Sequence, residues 1–434
     1  MVANQNSSLS VSGASLQSPI LYNLSTPAEH QLKDKLNLLI VAQSFKPMWE
    51  RGGVARVATE LASQFAKKGY NITVNTLNRD STYNLTEDTP ITTDAGIVYY
   101  FSMGCRIISS IIAPLPSNHA KHLIKQNIHN YNLLHVHDYR SPFCLYVAMS
   151  AHKAGIPYII QAHGSLPYLG KAFLKKIYDF LFGKRLLNGA SAVVALSETE
   201  AQYYEKFGVP RSKIHIIPNG IDSEYFPLPE VNSIREKYSI DDSDKLVTFV
   251  GRIDATKGID LLIDAFSHVH SKISDSKLLL VGSVRSEDYW EAVSNKITGY
   301  NLSDAVIVTG FVSSDEKKQL LLESDVFVTP SYSGFPLTFL EACACQTPIV
   351  TTKNGDTLDW IKQVGVVTEY DAPSLADGIV QILSADAETV SQYKELAAKF
   401  VEEKFNWAAI SAQYEYVYST VLQCEKEETE NDST

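Results

Sequence analysis

The chain is poor in sulfur, with five cysteines and four methionines in 434 residues. The cysteines are odd in number and scattered, at Cys105, Cys144, Cys343, Cys345 and Cys424. That excludes a disulfide scaffold and fits a reducing, cytoplasmic setting. Cys343 and Cys345 stand two apart in an apolar helical stretch, point different ways, and read as small core residues, so no metal is expected there. No apolar run approaches the length of a membrane span. Basic residues are outnumbered, 38 Lys and Arg against 49 Asp and Glu, for a net charge of −11. Such a balance argues against general nucleic-acid binding, and no nucleic-acid partner is expected. There is no G-x-G-x-x-G. Residues 1–35 are rich in Ser, Asn and Gln and lack a basic n-region. They read as a flexible arm, not a signal peptide. The Asn-x-Ser/Thr triplets at Asn84 and Asn301 are accordingly taken as chance.

What the chain does have is length and alternation. At 434 residues it is too long for one ordinary core, so two domains are expected. Short apolar runs recur: 37–42, 131–137, 156–161, 190–197, 214–218, then 245–250, 278–282, 305–310, 326–329, 349–352 and 366–368. Helical spacing separates them. Repeated βα units of this kind predict an α/β fold with parallel sheets in both halves. Polar residues around Pro227 and Pro229 mark the linker. The expected division is an arm over 1–35, a first domain over 36–228, a second over 229–404, a helix over 405–422 and an acidic tail over 423–434.

The candidate site residues stand where strands end. The stretch from Thr329 to Val350, TPSYSGFPLTFLEACACQTPIV, feeds a loop into a helix that opens at Pro336, whose fixed φ suits a first turn. A helix start attracts anions and hydroxyls. Glu341 is a carboxylate one turn in, either a ligand contact or a buried structural charge. Gly52-Gly53 follows the first strand and lets backbone approach a phosphate, although Gly-Gly is also an ordinary turn. His163-Gly164 follows another strand, at the end where open parallel sheets bind ligands. Arg252 and Lys257, five apart in one strand-to-helix loop, can turn two cations toward one point, a diphosphate clamp or a solvated loop. Asp242-Ser-Asp244 has the D-x-D form of some metal-dependent transferases but reads as a solvated turn. Residues 171–182 form an amphipathic helix mixing Lys with Phe, Leu and Ile, followed by Lys184 and Arg185. It suits either an anionic membrane surface or a helix docked on its own sheet.

Together these pieces resemble the GT-B glycosyltransferases, specifically glycosyltransferase family 4, over about residues 36–422. The motifs that carry the resemblance are Gly52-Gly53, His163-Gly164, Ser197 to Glu200, Asn219-Gly-Ile-Asp222, Gly251-Arg252 with Lys257-Gly258, and Ser333-Gly-Phe-Pro-Leu through Glu341-Ala. The resemblance implies two Rossmann-like domains facing across a cleft and a retaining hexosyltransferase. Its substrate would be a nucleotide-diphosphate sugar, with no other cofactor and no metal. The acceptor would be a glycan or a polyprenyl-linked glycan in surface polysaccharide synthesis, at the cytoplasmic face of a membrane. Arg252 and Lys257 would hold the diphosphate and Glu341 the ribose. Val312 backbone would meet the base, and Gly53 would approach the phosphates. Ser333, Gly334 and the main chain of Phe335, Pro336 and Leu337 would reach sugar or phosphate. His163 would lie near the sugar and the acceptor hydroxyl. The last helix, around Trp407 to Tyr418, would cross back to the first domain.

The chain departs from the family pattern in three places. Ser333 stands where a first Glu is usual, Gln346 where a Gly is usual, and Asp356 or Asp359 takes the place of a downstream acidic residue. Ser333 keeps open a second reading, a non-catalytic nucleotide-sugar-binding or scaffold protein; among enzymes the alternative is a GT-B sugar-nucleotide epimerase, against which the Ser333-to-Glu341 motif and the Arg252–Lys257 loop favour transfer.

Overall fold

The computed structural model describes residues 36–49, 52–79, 83–104, 114–168, 172–221, 234–331, 335–354 and 360–431. Ser333, Gly334, Asp356 and Asp359 lie outside the described residues, as do the arm over 1–35 and the linker prolines.

Fourteen strands are described, in two sheets. The first contains β1 (Asn37–Ala42), β2 (Asn71–Leu77), β3 (Pro90–Thr93), β4 (Gly96–Phe101), β5 (Leu133–His137), β6 (Tyr158–Gln161), β7 (Ala192–Ala195) and β8 (Ile214–Ile216). Their order is β3-β4-β2-β1-β5-β6-β7-β8. The second contains β9 (Lys245–Val250), β10 (Ser276–Val281), β11 (Val306–Gly310), β12 (Val326–Thr329), β13 (Ile349–Thr352) and β14 (Gly365–Thr368), ordered β11-β10-β9-β12-β13-β14. Every pairing in the second sheet is parallel.

The first sheet departs from the expected all-parallel pairing at one edge, where β3 runs antiparallel to β4. Asp94-Ala95 makes a tight hairpin there, and a Cβ on Gly96 would strike the Ile72 carbonyl, so glycine is required. Among the parallel strands the order reverses between β1 and β5 in the first sheet and between β9 and β12 in the second. Crevices at such reversals are where open α/β sheets bind ligands.

The helices are α1 (Gly53–Lys67), α2 (Asn118–Asn127), α3 (Pro142–Lys153), α4 (Ala172–Tyr178), α5 (Lys184–Asn188), α6 (Glu198–Lys206), α7 (Ile234–Lys237), α8 (Ile259–Lys272), α9 (Glu287–Gly299), α10 (Ser314–Glu323), α11 (Leu337–Ala344), α12 (Ile361–Val364), α13 (Ala372–Leu383), α14 (Ala387–Lys404) and α15 (Trp407–Asn431). β1 shows why the sheets are central. Leu38, Ile40 and Ala42 enter one core with α1, while Leu39 and Val41 enter the opposite core with α3. Strands buried on both faces read as continuous apolar runs. The second sheet is sandwiched likewise, with α8 and α13 on one face and α11 and α14 on the other.

α15 leaves the second domain and lies on the first. Trp407, Ile410, Tyr414, Val417, Tyr418 and Val421 recur at helical spacing and enter the core that contains β1 and α1. Lys68 and Glu415 form an ion pair of 3.0 Å at its edge. Gly220 is needed beneath Trp407, since a Cβ there would lie 2.7 Å from the indole.

The helix expected over residues 171–182 corrects one alternative of the sequence reading. The helix is not docked on its sheet through its apolar residues: nothing in α4 is buried. Phe173, Leu174 and Phe180 are 74%, 60% and 83% exposed. A π turn over Asp179–Gly183 follows, and it is Asp179 and Gly183 that face the protein. Asp179 pairs with Arg140 through two bonds of 2.7 and 3.0 Å, and Gly183 sits where any side chain would collide with Tyr139. No helix among the described residues is long and apolar enough to cross a membrane.

Candidate active site

The sequence-selected residues converge on the carboxyl ends of both sheets. In the second domain, β9 ends in Gly251, and Gly282 after β10 lies so close that a Cβ would strike the Gly251 carbonyl. This close approach holds the loop carrying Arg252 and Lys257. Arg252 is about half exposed, its side chain 48% open and 3.7 Å from Asp254. Lys257 is half-buried. Burial, and then the nearby Arg252 charge, lower its ammonium pKa, with Asp254 acting against them. The two cations are therefore near neighbours, as the spacing suggested. Gly258 follows at φ 68° and opens α8 without a side-chain cap. It lies against Pro330 and Ser331, at 3.2 and 3.6 Å from its ideal Cβ position, so this loop touches the one after β12.

The loop after β12 leads into α11, which also starts without a side-chain cap or an acidic first turn. Its amide dipoles are left facing outward. Phe335 is an anchor: its ring packs with Phe405 and Trp360 at 5.3 and 6.0 Å, and its carbonyl accepts from Asn219 at 2.8 Å. Glu341 is buried and bonded to Lys317 of α10, Nζ to Oε1 at 2.5 Å. That cation was not foreseen. Val312 is half-buried just before α10, at the carboxyl end of β11.

The first domain meets these groups across the cleft. Gly53 begins α1, again with no side-chain cap and no acidic first turn. Its ideal Cβ position is 3.6 Å from Leu337 at the start of α11. Arg56, one turn on, donates to Ser314 of α10 at 2.7 Å. Seven other helix starts are closed by side chains, Ser117, Ser141, Ser197, Ser286, Ser313, Asp371 and Asp386 each capping its helix. The starts of α1, α8 and α11 thus border one loop, those of α1 and α11 with neither a side-chain cap nor an acidic first turn, that of α8 with Asp260 in its first turn.

His163 is half-buried at φ 52°, followed by Gly164 at φ 73°. Glu200 explains the turn. One carboxylate oxygen accepts from Gly164 N at 2.6 Å and the other from Leu196 N at 2.7 Å. Ser197 caps the helix that carries Glu200, at 3.2 Å. The Ser197–Glu200 segment thereby fixes the backbone beside the cleft histidine. His163 Nε2 lies 2.9 Å from His137 Nδ1.

Asp138 follows directly on the apolar run over 131–137. Its φ of 109° is a strained value for a side-chain-bearing residue, and such strain concentrates at functional sites. Gln43, at the end of β1, donates to its carboxylate and in turn accepts from Arg79 at 3.3 Å. Burial raises the Asp138 pKa, with the Gln43 bond opposing it. No local signal marks this trio, since its members come from three strands. Asp242 and Asp244 stay outside the site, where the Asp244 carboxylate accepts from Asp241 N at 3.1 Å and closes a turn, as read.

Two family models match in succession: Glycosyltransferase Family 4 over residues 51–225 and Glycosyl transferases group 1 over residues 230–404. The chain is 26% identical over 388 residues to N-acetyl-alpha-D-glucosaminyl L-malate synthase of Bacillus anthracis, covering 86% of this chain and 96% of that one. It is 27% identical over 308 residues to an uncharacterized glycosyltransferase of Methanocaldococcus jannaschii, covering 68% and 77%. Among solved structures, Anabaena HepE in complex with UDP-glucose superposes with a TM-score of 0.72 at 20% identity, over 89% of this chain and 100% of that one. The fold is the GT-B fold. With matched models spanning both domains, the chain belongs to glycosyltransferase family 4 and is a glycosyltransferase.

Proposed function

We propose that this enzyme is a retaining hexosyltransferase. It moves a hexosyl unit from a nucleotide-diphosphate sugar to a hydroxyl of a glycan or lipid-linked acceptor, in surface polysaccharide or glycoconjugate synthesis. The observation that carries this is the pair Arg252 and Lys257 in the loop before α8, which borders the same loop as the open starts of α1 and α11. Breaking the anomeric C–O bond leaves the electron pair on the diphosphate. Two fixed cations and aligned amide dipoles stabilise that charge without calling on a metal. The acceptor oxygen bonds to the anomeric carbon on the face the diphosphate leaves, and its proton passes to the departing phosphate oxygen.

In this reading Glu341 accepts from the ribose hydroxyls beside its ion pair with Lys317. Val312 backbone meets the base, Gly53 and the amides around Phe335, Pro336 and Leu337 approach sugar and phosphate, and His163 lies at the reacting sugar. Ser333 and Gly334 complete the sugar side. The test is nucleoside diphosphate release with a panel of UDP-, GDP- and ADP-sugars, wild type against Arg252→Ala/Lys257→Ala. Loss of turnover in the variant with folding intact supports the reading. Tight nucleotide binding with no turnover on any donor supports a scaffold protein instead.

The same enzyme works, in this proposal, at an anionic membrane surface. Phe173, Leu174, Ile177, Phe180, Leu181 and Phe182 are exposed together, beside Lys175, Lys176, Lys184 and Arg185. A cationic cluster on a chain of net charge −11 is a local concentration against the overall sign, which suits acidic headgroups. The Arg140–Asp179 pair ties this face to the carboxyl end of β5, the cleft end of the sheet. Co-sedimentation with phosphatidylserine-containing vesicles, lost in Phe173→Ser/Phe180→Ser, is expected. Failure to bind them at low salt would overturn this part.

A further inference from the structure

β5 carries histidines at alternate positions, so His135 and His137 share the sheet face covered by α1 and α15. Both are fully buried. Their rings lie 4.2 Å apart, centroid to centroid. His135 Nδ1 is 2.8 Å from the Tyr418 hydroxyl of α15. At the other end, His137 Nδ1 is 2.9 Å from His163 Nε2, and those two rings stack at 5.1 Å. A file of three imidazoles thus runs from the crossing helix to the cleft.

One proton lies between His137 and His163, and its owner can be assigned. His137 Nε2 is buried with no hydrogen-bond partner among the described residues. If His163 donated, the His137 proton would sit on that nitrogen and bury an unpaired N–H. A buried donor without an acceptor is rarer and costlier than a bare lone pair. The proton therefore belongs on His137 Nδ1, and His163 Nε2 accepts. A neutral His163 then carries its own proton on Nδ1, which makes no other hydrogen bond among the described residues.

We propose that His137 is a positioning residue that fixes His163 as its Nδ1–H tautomer, so that the cleft histidine donates a hydrogen bond and does not act as a base. The inference rests on reading His163 as a residue of the transfer site. With Nε2 engaged and Nδ1 protonated, no lone pair on His163 is open to an acceptor hydroxyl. The Nδ1–H is offered to an oxygen of the donor. The acceptor proton leaves by the departing phosphate oxygen instead. A second proton on His163 would set two N–H groups against each other at the same 2.9 Å contact. Burial opposes that charge as well, pushing His163 and His135 down to about 3.

The experiment is nitrogen-15 NMR of the histidine side chains in the full chain, with His163 assigned by difference from His163→Ala. The expected spectrum shows His163 Nδ1 protonated and Nε2 bare and accepting. An Nε2–H on His163 in the wild type overturns the proposal, and this readout needs no variant of the buried file. Kinetics add a second arm. His137→Asn keeps an amide donor near the Nδ1 position and should retain the tautomer and most of kcat. His137→Leu should release it and lower kcat about tenfold while donor KM moves less. Equal loss in both variants overturns positioning by this hydrogen bond. A bare Nε2 together with full transfer by His163→Ala would overturn the role of His163 in transfer and leave the tautomer standing.

Discussion

At the carboxyl end of the first sheet a file of buried histidines is kept neutral; at the end of the second, Arg252 and Lys257 set two cations partly open to water. His135, His137, Tyr414 and Tyr418 sit within the first core. Arg252 is about half exposed, and Lys257 stands on a short turn beside it. The two halves use the same strand-loop-helix unit for different physical tasks. Arg252 stays near solvent, where its own desolvation is small, whereas burial already lowers the Lys257 ammonium pKa. A group that must hold one proton in one place is better buried, where alternatives are costly.

The largest effect expected from breaking this contrast lies at the buried Lys317–Glu341 charge pair of the donor side. Glu341→Ala leaves the Lys317 ammonium buried, since Lys317 is 9% exposed. The loss should be about 3–5 kcal/mol of folding stability, read from a denaturant midpoint. The double variant Lys317→Ala/Glu341→Ala should lose distinctly less, because no lone charge remains. An equal loss in both would show that packing, not charge, is what matters at this pair.

Lys257→Ala comes next, and acts on rate. Removing one fixed cation from a developing negative charge typically costs about 3 kcal/mol of barrier. Donor turnover should fall by about two orders of magnitude while the melting temperature hardly moves. Parallel loss of activity and melting temperature would place Lys257 among structural residues.

The neutral side should reveal itself through pH. His135 is held near 3 in the fold, by burial first, then by the neighbouring His163. An unfolded histidine titrates near 6.5. Between those values the unfolded chain binds the extra proton, so stability is complete above about 6.5 and declines as pH falls, by about 1.4 kcal/mol per pH unit for this group. His135→Gln should flatten that slope in denaturation series between about pH 4.5 and 6.5. An unchanged slope would show that other groups control acid unfolding.

The smallest effect is expected at Phe180. At 83% exposed it buries little, so Phe180→Ser should shift stability by less than about 0.5 kcal/mol. Thermal unfolding checks this. A larger loss would mean that the apolar face packs on the protein in solution.

Much of the donor side was legible because its signals are local. Gly251-Arg252 to Gly258 is one loop, and a helix start after a strand can be read from a few residues. The first domain was legible as a fold but not as a site. His137 and Asp138 looked like the end of a strand, and nothing in the sequence joins them to Gln43, Arg79 or Tyr418. Residues 171–182 show the converse failure. Their helical pattern was plain, but which side faced the protein depended on Arg140, more than thirty residues earlier, reaching Asp179.

Order along the chain thus determined the alternation of strand and helix, the two-domain plan and the cationic loop, because each depends on neighbours a few residues apart. Tertiary structure alone decided that the starts of α1, α8 and α11 border one loop, that Lys317 pairs with Glu341, and that His137 meets His163. Hydrogen bonds and ion pairs act over about 3 Å. Only folding brings α15 onto β5, and groups from helices 20 to 300 residues apart within that reach.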